Sequence, residues 1–180
     1  HVAWHDNRDG NYEIYYKKLN NSGAALTPDV RLTSNPATSR FPSISTDPNG
    51  NVHVAWVDNI SAPYIYDGDL YYKKLNNSGA ALTPNIRLTA SPYEFVKYPS
   101  LATDSQGNVH IAWPSRGIYY KKLNNNGTAL TPNIRLTSAP YYSYPPANPS
   151  VAIDYRGDVH TAWMDGRDGN WEIYYKRSLP

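Results

Sequence analysis

The chain has 180 residues and a formal charge of +2, with 17 Tyr and five Trp against two Phe, one Met and no Cys. Without cysteine there are no disulfide staples or thiolate metal sites, and basic residues dispersed in pairs make no nucleic-acid stripe. No run of about 18 apolar residues exists to form a membrane-spanning helix.

Tyr and Trp favour strands, and 15 Pro and 11 Gly cut the chain into short ones, so an all-β fold is expected. The first strand opens with His1-Val2-Ala3-Trp4. This His-x-Ala-Trp motif returns at His53–Trp56, His110–Trp113 and His160–Trp163, at intervals of roughly 50 residues. A turn with Asp-Gly follows at Arg8-Asp9-Gly10-Asn11 and again at Arg167-Asp168-Gly169-Asn170, a tight-hairpin signal. The second strand carries Tyr15-Tyr16-Lys17, repeated at Tyr71-Tyr72-Lys73, Tyr119-Tyr120-Lys121 and Tyr174-Tyr175-Lys176. After an Asn-Asn-Ser-Gly type turn comes Leu-Thr-Pro-x-(Val/Ile)-Arg-Leu-Thr, at Leu26–Thr33, Leu82–Thr89 and Leu130–Thr137. Last is Pro-Ser-x-x-x-Asp, at Pro42–Asp47, Pro99–Asp104 and Pro149–Asp154. It leads into turns such as Asp47-Pro48-Asn49-Gly50, where Asp first and Gly fourth suit a type I turn with Gly50, Gly107 and Gly157 at positive φ.

The second repeat thus holds four strands, Ser43–Asp47, Asn51–Asp58, Leu70–Asn76 and Asn85–Thr89, in an antiparallel meander. Val52-His53-Val54-Ala55-Trp56 and Ile14-Tyr15-Tyr16 carry packable groups at successive positions, so both faces of these strands are expected to be covered. Sheets stacked face to face around an axis give that covering. The expected fold is all-β: tandem four-stranded antiparallel blades of a β-propeller, about three and a half repeats. Its units run approximately 1–40, 41–97, 98–147 and 148–180. The first unit lacks its leading strand and the last its closing one. The chain is therefore expected to be part of a longer chain or an assembly, with self-association through its open blade edges.

Ser45-Thr46-Asp47-Pro48-Asn49-Gly50 followed by Trp56, and the related runs Thr103-Asp104, Gly107, Trp113 and Asp154, Gly157, Trp163, resemble the Asp-box (bacterial neuraminidase) repeats of sialidase-like propellers. Here Gly follows Asp by three residues instead of two, and Trp falls later. A sialidase-like hydrolase would need an arginine cluster and a Tyr–Glu pair. Arg31, Arg87 and Arg135 instead occupy the same place in each repeat, as do Glu13 and Glu172, which marks them as scaffold.

The reading is a non-enzymatic extracellular or cell-surface module for binding or adhesion to carbohydrate, such as a surface glycan. A structural sheath, stalk or filament is the alternative, and a sialidase-like glycoside hydrolase ranks third. Sugars lie on aromatic faces, and the loops least like their counterparts hold Tyr64, Tyr66, Tyr93, Tyr141, Tyr142 and Tyr144, which are the ligand-binding candidates. No cofactor is expected. The oxygen-rich loops with Asp6, Asp9, Asp165 and Asp168 offer ligands for calcium or contacts for sugar, but arginine in each loop and hairpin chemistry favour a plain turn. The histidines read as packed or hydrogen-bonded strand residues. Sequons at Asn20, Asn59, Asn76 and Asn126 are N-glycosylation candidates and support an exported protein.

Overall fold

A computed structural model describes residues 1–59, 68–90, 96–137 and 146–178, and among them there are fourteen strands and no helix. The first sheet is β1 (Val2–Asp6), β2 (Glu13–Lys17) and β3 (Val30–Arg31). The second is β4 (Ser39–Thr46), β5 (Val52–Asp58), β6 (Asp69–Leu75) and β7 (Ile86–Arg87). The third is β8 (Ser100–Thr103), β9 (Val109–Pro114), β10 (Ile118–Leu123) and β11 (Ile134–Arg135). The fourth is β12 (Ala147–Ile153), β13 (Val159–Asp165) and β14 (Glu172–Ser178). Every pairing between strands is antiparallel.

Each sheet's inner hairpin is fixed by the repeat motifs. Within it the motif Trp stacks on the first motif Tyr across the strand pair, as Trp56 does on Tyr71 with ring centres 5.9 Å apart. The last strand of each repeat is shorter than expected, Ile86–Arg87 against Asn85–Thr89. Pro84 has no N–H to donate, and on the far side the Thr89 hydroxyl replaces a ladder bond by accepting the Leu70 N–H at 2.9 Å. Thr33 and Thr137 do the same for Ile14 and Ile118.

The core lies between sheets. Ile14, Tyr16 and Leu32 of the first sheet pack on Val52, Val54, Trp56 and Leu75 of the second. Leu70 and Tyr72 of the second pack on Leu101, Ile111, Trp113 and Leu123 of the third. Ala112 and Tyr120 of the third pack on Val151 and Val159 of the fourth. One face of each inner hairpin meets the opposite face of the next, so the expected covering on both sides holds for the two middle sheets.

Candidate functional site

In three sheets the inner hairpin ends in two carboxylates directly opposite each other: Asp6 and Glu13, Asp58 and Asp69, Asp165 and Glu172. Like charges so placed repel. In the first sheet two guanidiniums neutralise the pair, Arg8 at 2.5 Å from Asp6 and Arg31 at 2.9 Å from Glu13. In the fourth, Arg167 pairs with Asp165. In the second, Arg87 lies 2.6 Å from Asp69, but the residue two places after Asp58 is Ile60, where Arg8 and Arg167 stand in the other repeats.

Asp58 is therefore a buried carboxyl without an arginine. It is 1% exposed. Its Oδ2 accepts from Asn35 at 2.6 Å and from Ser39 at 3.3 Å, while Oδ1 has no hydrogen-bond partner. The indole N–H that reaches the aspartate from Trp4 and Trp163, at 3.3 Å each, makes no such bond from Trp56. Burial pushes the Asp58 carboxyl above its usual value, the Asn35 and Ser39 bonds and the nearby Trp56 indole N–H, which falls short of hydrogen-bond geometry, opposing and the Glu13 charge adding to it. Its counterparts go the other way. Arg8 holds Asp6 at about 2. Burial pushes Asp165 up, but Arg167 and Trp163 outweigh it and leave the group below its usual value.

The leading strands of the sheets begin at this same end, with Ser39 paired to Asp58. In or just before each stands a residue with positive φ preceding a proline: Phe41 at 58°, Tyr98 at 44° and Asn148 at 48°. Backbone strain of this kind in residues other than glycine collects at functional sites. Here it accompanies a bulge between Arg40 and Ser43 and brings the rings into a row. Tyr12 lies 5.5 Å from His5, His5 lies 5.7 Å from Phe41, and Phe41 lies 4.4 Å from Tyr98, ring centre to ring centre. Tyr98 is half exposed. Arg40 stands 4.1 Å over the Tyr12 ring, and its Nε is buried without a hydrogen-bond partner. Sequence reasoning missed this row. Its one signal was the repeated residue-Pro-Ser step at Phe41, Tyr98 and Asn148.

The tyrosines singled out from the sequence, Tyr64, Tyr66, Tyr93, Tyr141, Tyr142 and Tyr144, lie outside the described residues. Their segments join β5 to β6, β7 to β8 and β11 to β12, and the strand ends so joined are all at the Asp58 end of the sheets. Among the metal candidates, Asp6 is taken by Arg8, Asp9 by Tyr15 and Arg31, Asp165 by Arg167, and Asp168 by Tyr174. Among the described residues no cluster of three or more His, Asp or Glu could hold a metal ion. Asn20 and Asn76 use their side-chain oxygens to brace their own turns, accepting from residues two and four further on. Asn126 is exposed, and Asn59 accepts from Thr38. The histidines sit as expected: His53 and His110 are buried between a tyrosine hydroxyl and an aspartate.

No family model and no curated protein matches this sequence. Solved structures do match in fold. An endo-arabinase from Bacteroides thetaiotaomicron is 13% identical with a TM-score of 0.58, over 99% of this chain and 70% of that one. The K499G mutant of NanB sialidase from Streptococcus pneumoniae is 11% identical with a TM-score of 0.57, over 85% of this chain and 24% of that one. The α-L-arabinanase of Penicillium chrysogenum, complexed with arabinobiose, is 11% identical with a TM-score of 0.55, over 90% and 54%. The chain thus spans about half or less of two of these three proteins. At such identities the likeness is one of fold, and the sialidase-like propeller fold expected from the sequence is supported.

The comparison overturns the expectation of a non-enzymatic binding or adhesion module. The similar structures are mostly glycoside hydrolases, so the fold gives no ground for setting catalysis aside. The sequence argument against catalysis tested only the symmetric arginines and glutamates. Asp58, which keeps the repeat's carboxyl but lacks its arginine two residues on, lay outside those sets.

Proposed function

We propose that the four sheets are blades of a sialidase-like β-propeller and that the Asp58 end hydrolyses glycosidic bonds in an exported protein. The observation that carries this reading is the raised, unpaired Asp58 carboxyl beside arginine-bound carboxylates. Glycoside hydrolysis uses one carboxyl that keeps its proton and a second that is ionised. Asp58 is the proton holder: it gives its proton to the departing glycosidic oxygen as the bond to the anomeric carbon breaks. Asp69, opposite it and bound by Arg87, is the second carboxyl of the pair, placed to face the positive charge developing on the sugar or to draw a proton from the attacking water. The row Tyr12, His5, Phe41 and Tyr98 offers ring faces to the apolar side of a pyranose or furanose, and Arg40 offers hydrogen-bond donors beside it.

The test is release of sugar from arabinan, aryl arabinofuranosides and aryl sialosides by the 180-residue chain and by Asp58→Asn. Loss of a general acid lowers the rate by about 10²–10⁴-fold, and Asp58→Asn is expected to fall in that range while remaining folded. A wild-type chain inert on all three substrates, or an Asp58→Asn variant at full rate, overturns the reading.

A further inference from the structure

Two positions of the inner hairpin differ sharply between the last sheet and the others. Ile14, Leu70 and Ile118 are fully buried, but their counterpart Ile173 is 74% exposed. Tyr16 and Tyr72 are fully buried, but Tyr175 is 60% exposed. The opposite face of the first sheet shows the same reversal. Val2 is 42% exposed where Val54 and Ile111 are fully buried. The molecule therefore presents the two faces that elsewhere in it meet each other, one at each end of the stack.

The turns show what fits on them. A Cβ placed on Gly79 of the second sheet would stand 2.5 Å from the Tyr16 ring of the first, and one on Gly127 of the third would stand 2.6 Å from the Tyr72 ring of the second. Each glycine is the seat of the preceding sheet's tyrosine. The first sheet's equivalent, Gly23, has the same left-handed backbone, φ 82°, and nothing within 4 Å. Among the described residues Tyr120 and Tyr175 have no such seat, Tyr175 being the one left exposed, and Gly23 is the seat without a tyrosine. A polar contact follows the same rule. Lys18 donates to the Asn77 side chain at 2.7 Å, and Lys74 donates to Asn125. Arg177 holds the corresponding place in the last sheet, and Asn21 in the first.

We infer that these two faces are halves of one interface, closed when a second copy of this chain stacks its first sheet on the last sheet of another. Tyr175 of one copy packs on Gly23 of the next, Ile173 meets the face bearing Val2, and Arg177 reaches Asn21. Burying exposed Ile, Tyr and Val side chains drives the association. The contact is head to tail, so it closes into a ring or runs on as an open array.

Light scattering on the 180-residue chain tests this. Wild type is expected at two or more chains per particle in the tens of micromolar range. Ile173→Lys blocks one face. Gly23→Asn blocks the other, since Asn accepts a left-handed backbone while its side chain fills the seat. Each variant is expected to be monomeric, and an equimolar mixture of the two is expected to form 1:1 pairs, because each keeps the face the other lacks. Tyr175→Lys and Val2→Lys block the same two faces should either first choice fold poorly. A monomeric wild type, an assembly indifferent to both faces, or blocked variants that fail to pair in mixture would each overturn the inference.

Discussion

Asp6, Asp58 and Asp165 occupy one position in three sheets, yet only Asp58 is shifted upward. A carboxyl whose folded pKa is raised binds its proton more tightly in the folded chain than in the unfolded one. As pH rises past its ordinary value of 3.8, the unfolded state loses the proton first and is favoured. Asp58 therefore lowers stability at neutral pH, as a buried group kept for chemistry would. Asp58→Asn is expected to melt above wild type at pH 7–8, by roughly 2–8 °C, and to converge with it near about pH 3.5. A melting temperature below wild type at pH 8 would mean that the ionised carboxylate supports the fold. The signal for Asp58 was legible in the sequence, as Asp58-Asn59-Ile60 against Asp6-Asn7-Arg8. The aromatic row was not, because its placement follows from positive φ at Phe41 and Tyr98, which nothing in those side chains requires.

At the level of elements, strand order and the antiparallel meander were readable because each hairpin carries its own pairing and turn signals. Strand ends were less so, since a threonine hydroxyl takes over a ladder position without changing the hydrophobic pattern. The Asp-to-Gly turns behave as their sequence implies. Gly50, Gly107 and Gly157 have φ of 78°, 80° and 87°, and each donates its N–H to the turn's aspartate carbonyl at 2.9–3.0 Å. Replacing them by valine separates backbone strain from crowding. A Cβ at Gly157 meets nothing within 4 Å, and one at Gly50 meets Asn77 at an ordinary 3.5 Å, so each substitution is expected to cost about 1–3 kcal/mol from strain alone. At Gly107 the Cβ collides with Asn125, whose amide is bound to Asp47 and to the Gly107 carbonyl. Gly107→Val is expected to be the least stable of the three in urea unfolding. Equal midpoints would show that the Asn125 contact gives way freely.

Across the whole molecule the sheets are joined by more than apolar faces. His53 accepts at Nδ1 from the Tyr72 hydroxyl at 2.7 Å, and its Nε2 lies 3.3 Å from Asp47. Asp47 also accepts from Asn125 of the third sheet at 2.8 Å and faces Lys74 at 3.9 Å. His110 repeats the arrangement with Tyr120, Asp104 and Lys122. With both ring nitrogens engaged, the neutral imidazole fits, and a protonated one would add charge to a dry interior. Burial accordingly lowers both histidine pKa values, with the aspartates opposing and the lysine charges adding to it. Both aspartates are also lowered: burial pushes them up, but donors from Asn51, Asn125 and His53, or from Asn108 and His110, outweigh it. The signs agree. As pH falls through the ordinary histidine value of 6.5, the unfolded chain takes protons that the folded chain refuses, and stability drops. Below the ordinary aspartate value of 3.8 it drops again, because the folded carboxylates resist protonation that the unfolded ones accept. The melting temperature is expected to fall in two stages on acidification, beginning near pH 6.5 and again near pH 4. A His53→Gln, His110→Gln double variant, which has no imidazole at either site, starts less stable at pH 8, and its first-stage fall should be smaller than that of wild type, His5, whose pKa burial also lowers, supplying what remains, while the second stage is kept. A wild-type melting temperature unchanged between pH 7 and pH 5 would show that these histidines take up a proton as easily folded as unfolded.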